Sequence, residues 1–377
     1  MACEEMLNEL LEGRIERQRE LSREHLLENV RPDGAILTST SRRYPDYYHY
    51  LWPRDLSIAT CALVRLGEYR KAERGLRRLF ELQREDGTWH QRYCLDGTPA
   101  QGNWAEPQHD QFALPTISCL EYYNATGDEG LMRELYPRIA RACEFLLKDK
   151  SPTWDVWEQV CSYHYWTIEA IIKAMEDGSR IAAVMGKAEE ASRYRNEALR
   201  LIGELKNYFV RDGYITCEAR GGAYRQGASV PGKGLVDASV LGAHLYFDGH
   251  HLGHPLVKRA VAVLEEAFAF YPINWNGARG KAIGRYPEDP YDGIWFTGGN
   301  PWYITTLWFA EWHYSQRDLR RGDEYLKVVL DHIPRDGHIY EQFNRVTGAP
   351  QGARDLSWSY AQFLRTVDAR RGLIALR

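Results

Sequence analysis

What this sequence lacks narrows the possibilities before any motif is read. No stretch reaches the roughly 18 apolar residues of a membrane helix, so a spanning protein is not expected. The N-terminus, from Met1 to Leu7, has no basic segment followed by an apolar run; no secretory leader is recognisable there, and the expected location is the cytoplasm. The seven cysteines (Cys3, Cys61, Cys94, Cys119, Cys143, Cys161 and Cys217) are odd in number, form no Cys-x-x-Cys pair and mostly sit in apolar helical surroundings such as Ala59-Thr60-Cys61-Ala62-Leu63. They read as buried, reduced thiols. The basic residues are scattered among acidic ones, with a formal charge of −4 and no stripe able to follow a phosphate backbone, so nucleic acid is not an expected partner. There is also no Ser/Gly-rich or Pro-rich linker and no low-complexity tract, which leaves residues 1–377 as one unit without an appended module.

What is present suits a large core under a well-solvated surface: 377 residues, 44% hydrophobic and 27% charged. Apolar residues recur with the helical period in about twelve segments, starting near Met6, Asp55, Tyr69, Asp110, Asp128, Thr167, Ile181, Asp237, Pro255, Pro301, Leu319 and Asp355. No long run alternates apolar and polar residues as a half-buried strand would. Turn chemistry ends the segments, as at Leu66-Gly67, Asp86-Gly87 and Arg335-Asp336-Gly337. The expected class is all-α. The 12 Trp and 24 Tyr exceed what helical periodicity alone calls for, and they fit either core filling or stacking on sugar faces.

The connections alternate in kind. Those leading out of even-numbered segments are mostly short and plain, as in Gly67-Glu68, Thr126-Gly127 and Ser315-Gln316-Arg317-Asp318. Those leading into even-numbered segments are long, and most are dense in Trp, Tyr, Arg, Asp, Glu and Gln. They contain, in order, Tyr48 to Asp55, Trp104 to Asp110, Trp154 to Gln159, Gly234 to Asp237, Gly284 to Asp289 with Gly299 to Trp302, and Tyr340 to Asn344 with Asp355 to Trp358. If six helical hairpins close into a ring, all six rich loops open at one end, and a rigid scaffold then builds one site from six distant segments.

At these loops the chain resembles glycoside hydrolase family 15, the glucoamylase family, from about Tyr44 to Thr366 and in the family's order. The resemblance is carried by Trp52-Pro53-Arg54-Asp55, by Asp155-Val156-Trp157-Glu158, by Gly284-Arg285-Tyr286-Pro287-Glu288-Asp289 with Gly299-Asn300-Pro301-Trp302, and by Glu341-Gln342-Phe343 with Asp355-Leu356-Ser357-Trp358-Ser359-Tyr360. It implies an (α/α)6 barrel and an inverting enzyme that removes glucose from non-reducing ends of short α-linked gluco-oligosaccharides, with Glu158 as general acid and Glu341 as general base. It further implies that Arg54, Asp55 and Arg285 hold the terminal glucose, and that Tyr48, Trp52, Trp104, Trp157, Gln159, Trp302 and Trp358 line the sugar path. Two positions depart from many fungal members: Gln159 stands where they carry a second Glu, and Glu106 where they carry Arg. Those departures bear on linkage and aglycone preference.

The chemistry fits the residue types. Glycoside hydrolysis needs one protonated carboxyl to supply the leaving oxygen and one carboxylate to activate water on the other face of the ring. Glu158, beside Trp157 and Val160, sits in a partly apolar stretch expected to favour the acid form, whereas the amides around Glu341 suggest a solvated carboxylate. The plainer accounts are a charge at the start of the sixth helix for Glu158, a surface carboxylate for Glu341 and a capping pair for Arg54-Asp55. His250, His251 and His254 lack carboxylates at ligand spacing and read as a solvated turn; Gly277-Ala278-Arg279-Gly280-Lys281 follows no strand and lacks the Ser/Thr of a phosphate loop. No metal and no cofactor is expected. The first helix, Met6 to Glu28, is expected to pack on the outside of the barrel. Two rival readings remain open: a trehalase or an isomaltose- or dextran-type glucosidase on the same scaffold, and a non-catalytic, sugar-sensing domain of the glucoamylase-like kind.

Overall fold

The computed structural model describes residues 2–41, 48–219, 235–249, 251–252, 254–275, 281–292 and 298–376. Its helices are α1 (Ala2–Glu28), α2 (Pro53–Arg65), α3 (Tyr69–Glu81), α4 (His109–Thr126), α5 (Glu129–Lys148), α6 (Tyr165–Val184), α7 (Ala188–Phe209), α8 (Ser239–Tyr246), α9 (His254–Ala267), α10 (Tyr303–Ser315), α11 (Leu319–His332) and α12 (Ser357–Ala375). The even-numbered helices contact one another in the order α2, α4, α6, α8, α10, α12 and back to α2, which closes an inner ring. The odd-numbered helices pack outside it, and α1 lies against α11 and α12. The architecture is an (α/α)6 barrel.

Burial explains which helices go where. Outer helices such as α3 and α11 carry one buried stripe, for example Ala72, Leu76, Leu79 and Phe80 on α3, and leave charges on the other side. Inner helices are buried nearly all round, as along His109 to Leu120 of α4 and Tyr303 to Trp312 of α10, so no single apolar stripe marks them in the sequence. Aromatic rings fill the middle of the ring. Trp166, Trp308 and Trp358 meet at centroid distances of 6.0 to 6.1 Å, and Tyr246 packs against all three. Each such pair contributes about 0.5–1.5 kcal/mol beyond its buried area.

One boundary differs from the sequence-based expectation. The seventh helix starts at Ala188 rather than near Ile181, which lies inside α6. Gly178 does not stop α6, because it serves close packing: a Cβ there would fall 2.7 Å from Cys143 Sγ. The stop comes at Gly186, whose φ of +73° suits glycine. The all-α class holds, and the only sheet among the described residues is three short antiparallel hairpins: β1 (Thr153–Trp154) with β2 (Cys161–Ser162), β3 (Val210–Arg211) with β4 (Tyr214–Ile215), and β5 (Tyr340–Phe343) with β6 (Pro350–Arg354). Strands of two to five residues are too short to produce a readable alternation.

Of the cysteines expected to be buried thiols, Cys119, Cys143 and Cys161 are free and buried and Cys217 is buried, whereas Cys61 and Cys94 are free but only half-buried. Among the described residues no helix is long and apolar enough to cross a membrane. Gly234, His250 and Gly277 to Gly280 lie outside the described residues. His251 is not a solvated side chain, because its Nδ1 meets the fully buried carboxylate of Glu169 at 3.0 Å, and that bond raises the imidazole to about 9. Among the described residues no group of three or more His, Cys, Asp or Glu is arranged to hold a metal ion.

Candidate active site

A cavity of about 530 Å³ opens at the end of the ring where the inner helices begin. Every candidate site residue lines it: Tyr48, Trp52, Arg54, Asp55, Trp104, Trp157, Glu158, Gln159, Arg285, Trp302, Glu341 and Trp358. Trp358, which hydrogen-bonds Tyr246 from its Nε1 at 2.9 Å, joins the wall to the aromatic packing inside the ring. Trp104 is half-exposed, whereas Trp52, Trp302 and Trp358 are buried. The rings therefore divide between the two uses open to them, with Trp89, Trp166 and Trp308 in the core and these others on the cavity.

Glu158 does not begin a helix. It sits in the turn between β1 and β2 with a φ of +60°, a conformation a non-glycine residue holds only where its surroundings enforce it. Asp155 builds that turn: its Oδ1 accepts the backbone N–H groups of Gln159 (2.7 Å) and Val160 (3.0 Å), and its carbonyl accepts that of Glu158 (2.9 Å). The first Asp of Asp155-Val156-Trp157-Glu158 is thus occupied in shaping the loop. The Glu158 carboxylate receives four donors. Trp52 Nε1 (2.9 Å), Gln108 Nε2 (3.0 Å) and Arg54 Nη1 (3.4 Å) reach Oε1, and Gln91 Nε2 (2.5 Å) reaches Oε2.

Glu341 also rides on a hairpin. It stands on β5, where the pairing with β6 shifts register between Tyr340 and Gln342, the kind of irregularity that re-aims a side chain. It is not solvated, being only 1% exposed. Burial pushes its carboxyl up to about 7, against the opposing pull of Tyr48 Oη (2.5 Å to Oε1), Arg285 and Tyr291 Oη (3.3 Å to Oε2). Gly352, at φ +76°, leaves the room Glu341 needs, since a Cβ there would fall 2.4 Å from Oε2. Burial and the neighbouring carboxylate hold the Tyr48 phenol protonated, so it remains a donor. The two carboxylates are tied to one aromatic pair, because Tyr48 stacks on Trp52 at 5.7 Å while each ring hydrogen-bonds a different carboxylate.

The charged residues around them are held from behind. Arg54, 3% exposed, donates Nε to Asp110 Oδ2 at 2.8 Å and Nη2 to Gln108 Oε1, while Trp166 Nε1 donates to the same Asp110 oxygen at 2.9 Å. Asp55 lies in the first turn of α2, and burial pushes it up to about 7 despite Arg54 beside it. Arg285 is gripped by both oxygens of Asp289, at 2.6 and 2.7 Å, and lies over Trp302, Tyr291, Trp157 and Tyr286 at 4.9 to 5.6 Å. Trp157 Nε1 is shared by both oxygens of Asp237. Gln159 accepts from Tyr286 Oη at 2.5 Å, which fixes the amide at the first of the two departures from the family pattern. Glu106, the other departure, accepts from Gln91 N (2.8 Å) and Asn103 Nδ2 (2.9 Å) and so holds the loop before α4.

Gln91, Arg92 and Tyr291 were not foreseen, and Gln108, Asp110 and Asp289 were noted in the rich loops without a task. A usable signal exists for Gln91 and Arg92: they lie in the same kind of long connection, between α3 and α4, that carries the other candidates. Arg92 lies over Tyr50 and Trp104, each at 4.7 Å, and reaches the carbonyls of Gln101 and Gly102.

The barrel brings two carboxylates into one aromatic cavity, an arrangement suited to glycoside hydrolysis, and comparison with known proteins shows the family. The model of "Glycosyl hydrolases family 15" matches residues 18–321 and 320–368, so the chain belongs to that family and is a glycoside hydrolase. It is 26% identical to a probable glucoamylase of Schizosaccharomyces pombe over 95% of this chain and 91% of that one. It is 27% identical to a glucoamylase of Blastobotrys adeninivorans over 90% of this chain and 68% of that one. Among solved structures, a glucoamylase from Saccharomycopsis fibuligera matches with a TM-score of 0.88 at 22% identity, covering 97% and 96% of the two chains, which shows the shared fold.

Proposed function

We propose that the chain is an inverting, exo-acting α-glucosidase that releases β-glucose from the non-reducing ends of short α-linked gluco-oligosaccharides, with Glu158 as general acid and Glu341 as general base. The observation that carries this reading is the contrast between the two carboxylates. Proton transfer from Glu158 to the glycosidic oxygen leaves a carboxylate, and four N–H donors stand ready to receive that charge. Removal of a water proton by Glu341 leaves a neutral acid, and burial already favours that form. Each group is surrounded by what its state after the transfer requires. The C1–O bond breaks with its electrons and a proton going to the leaving sugar, while hydroxide oxygen from the activated water bonds to C1 on the opposite face.

Arg54, Asp55 and Arg285 are assigned to the terminal glucose, Tyr48, Trp52, Trp157 and Trp358 to the walls around it, and Trp104, Gln159 and Trp302 to the sugars that follow. Exo action is supported by the aromatic packing of Trp358, Trp166, Trp308 and Tyr246, which fills the ring beneath the cavity. Residues 1–377 are assigned to one barrel domain, since α1 and α12 pack together. A cytoplasmic site of action agrees with the free thiols. Both carboxylates converge on one cavity, which favours an enzyme over a sugar sensor, and turnover tests that choice.

The decisive experiment is proton NMR in the first minutes of hydrolysis of maltose, isomaltose and trehalose, before mutarotation. Initial β-glucose is expected, and the relative rates assign the linkage. Initial α-glucose would remove the base role from Glu341 and demand a covalent intermediate.

A further inference from the structure

The donors around Glu158 are unevenly divided. Oε1 takes three, from Trp52, Gln108 and Arg54, whereas Oε2 takes one, from Gln91. A carboxyl oxygen surrounded by donors has no room for a proton, so the proton of the acid form belongs on Oε2. We propose that Gln91 is the positioning residue for this proton: its amide occupies one lone-pair direction of Oε2 and aims the other at the scissile oxygen. The inference rests on Glu158 being the general acid.

Gln91 is built for a fixed orientation. It is 1% exposed, and its Oε1 accepts the backbone N–H groups of Trp104 (2.9 Å) and Ala105 (3.3 Å). Exchanging its oxygen and nitrogen would set two donors against an NH2 group, so the N–H toward Glu158 cannot be replaced by a carbonyl without breaking both bonds. Its own backbone N–H is held by Glu106 Oε1 at 2.8 Å. The same amide thus joins the oxygen that holds the proton to the loop that presents Trp104, a half-exposed ring in the cavity wall. Protonation of the leaving group and placement of that wall are coupled through one side chain.

Two substitutions separate the roles. Gln91→Glu keeps an acceptor for Trp104 and Ala105 but replaces the donor to Glu158 with a second carboxyl, so the pair shares a proton. Gln91→Met removes donor and acceptor together. With the N–H gone, the ionised form of Glu158 loses support, so the alkaline limb of kcat against pH moves upward by about one unit or more. In Gln91→Glu kcat at the optimum should fall about tenfold while KM for maltose changes little. In Gln91→Met KM should also rise, because the Trp104 loop is released. A rise in KM with the alkaline limb unmoved in both variants would overturn the proposal and reduce Gln91 to a loop anchor. Glu158→Gln, measured alongside, distinguishes the two readings. If it keeps full activity, the acid assignment fails and the proposal fails with it; if it is inactive while the limb stays still in Gln91→Glu, only the positioning role fails. Circular dichroism of each variant reports folding, and Gln91→Glu, nearly isosteric, remains informative if Gln91→Met does not fold.

Discussion

Removing the carboxylate of Asp110 should cost the protein far more than removal of a typical acidic side chain. Asp110 is fully buried, and its partner Arg54 is 3% exposed. Asp110→Ala would strand a guanidinium whose Nε bond at 2.8 Å is the best formed of its charged contacts, and would also leave Trp166 Nε1 without its 2.9 Å acceptor. Breaking one side of a buried ion pair costs about 3–5 kcal/mol, and a buried donor without a partner about 1–3 more. A loss of at least about 3 kcal/mol is therefore expected. The same change frees Arg54 to turn toward Glu158, 3.4 Å away, and should lower kcat/KM as well. Urea unfolding read by tryptophan fluorescence measures the first effect as a shift in midpoint at unchanged slope. The double variant Arg54→Met/Asp110→Leu tests the cause, since replacing both partners with apolar groups should destabilise less than Asp110→Ala alone. If Asp110→Ala loses less than about 1 kcal/mol, or the double variant is the weaker protein, the stranded charge is not what determines stability here.

Three further outcomes follow from the ionisation of the site. Glu341 must be ionised to act as a base and titrates at about 7, so kcat/KM should fall as pH drops below about 7; Tyr48→Phe removes a donor to the ionised form and should move that limb upward by about one unit. A limb that stays in place would dissociate it from Glu341. Because the folded carboxyl lies above its ordinary value of 4.5, folding favours its protonated form, and the wild type loses stability as pH rises from about 4.5 through 7. Glu341→Gln should therefore be inactive yet more stable than wild type at pH 8, with the gap closing near pH 4.5; equal unfolding midpoints at both pH values would contradict the burial argument. Asp55→Asn should lower kcat/KM on every active substrate, since each must seat glucose at the same end of the cavity, and it should also make the acidic limb less steep, because Asp55 titrates at about 7 as well. A loss confined to one linkage would assign Asp55 to the following sugar.

The barrel was legible because its two kinds of connection differ chemically. Short turns such as Gly127, at φ +67°, only reverse the chain, whereas the long connections have to supply a cavity and so carry its Trp, Arg and carboxylates. Helix existence was readable through turn residues even where helix faces were not: α10 is buried from Tyr303 to Trp312, polar Thr305, Thr306 and Glu311 included, so no apolar stripe marks it. The later start of α7 shows the limit of sequence reading: Gly178 permits packing against Cys143 and Gly186 ends α6, and the two glycines look alike until the neighbour is known.

The surroundings of the two carboxylates were the least legible feature, for a physical reason. Next to Glu341 the sequence offers Gln342 and Asn344, polar neighbours that suggest solvation; yet Gln342 reaches it only at 3.4 Å, and its raised pKa comes from burial, opposed by Tyr48, Arg285 and Tyr291, which are 50 or more residues away in the chain. Glu158 likewise has Trp157 and Val160 near it in sequence, but its side-chain hydrogen bonds come from Trp52, Gln91 and Gln108, all supplied by other loops. Desolvation and hydrogen bonding depend on what folds against a group, so local composition carries little information about them. Residue type announces that a carboxylate is present at the mouth of the ring; whether it holds or takes a proton there is decided by loops from the other hairpins of the ring.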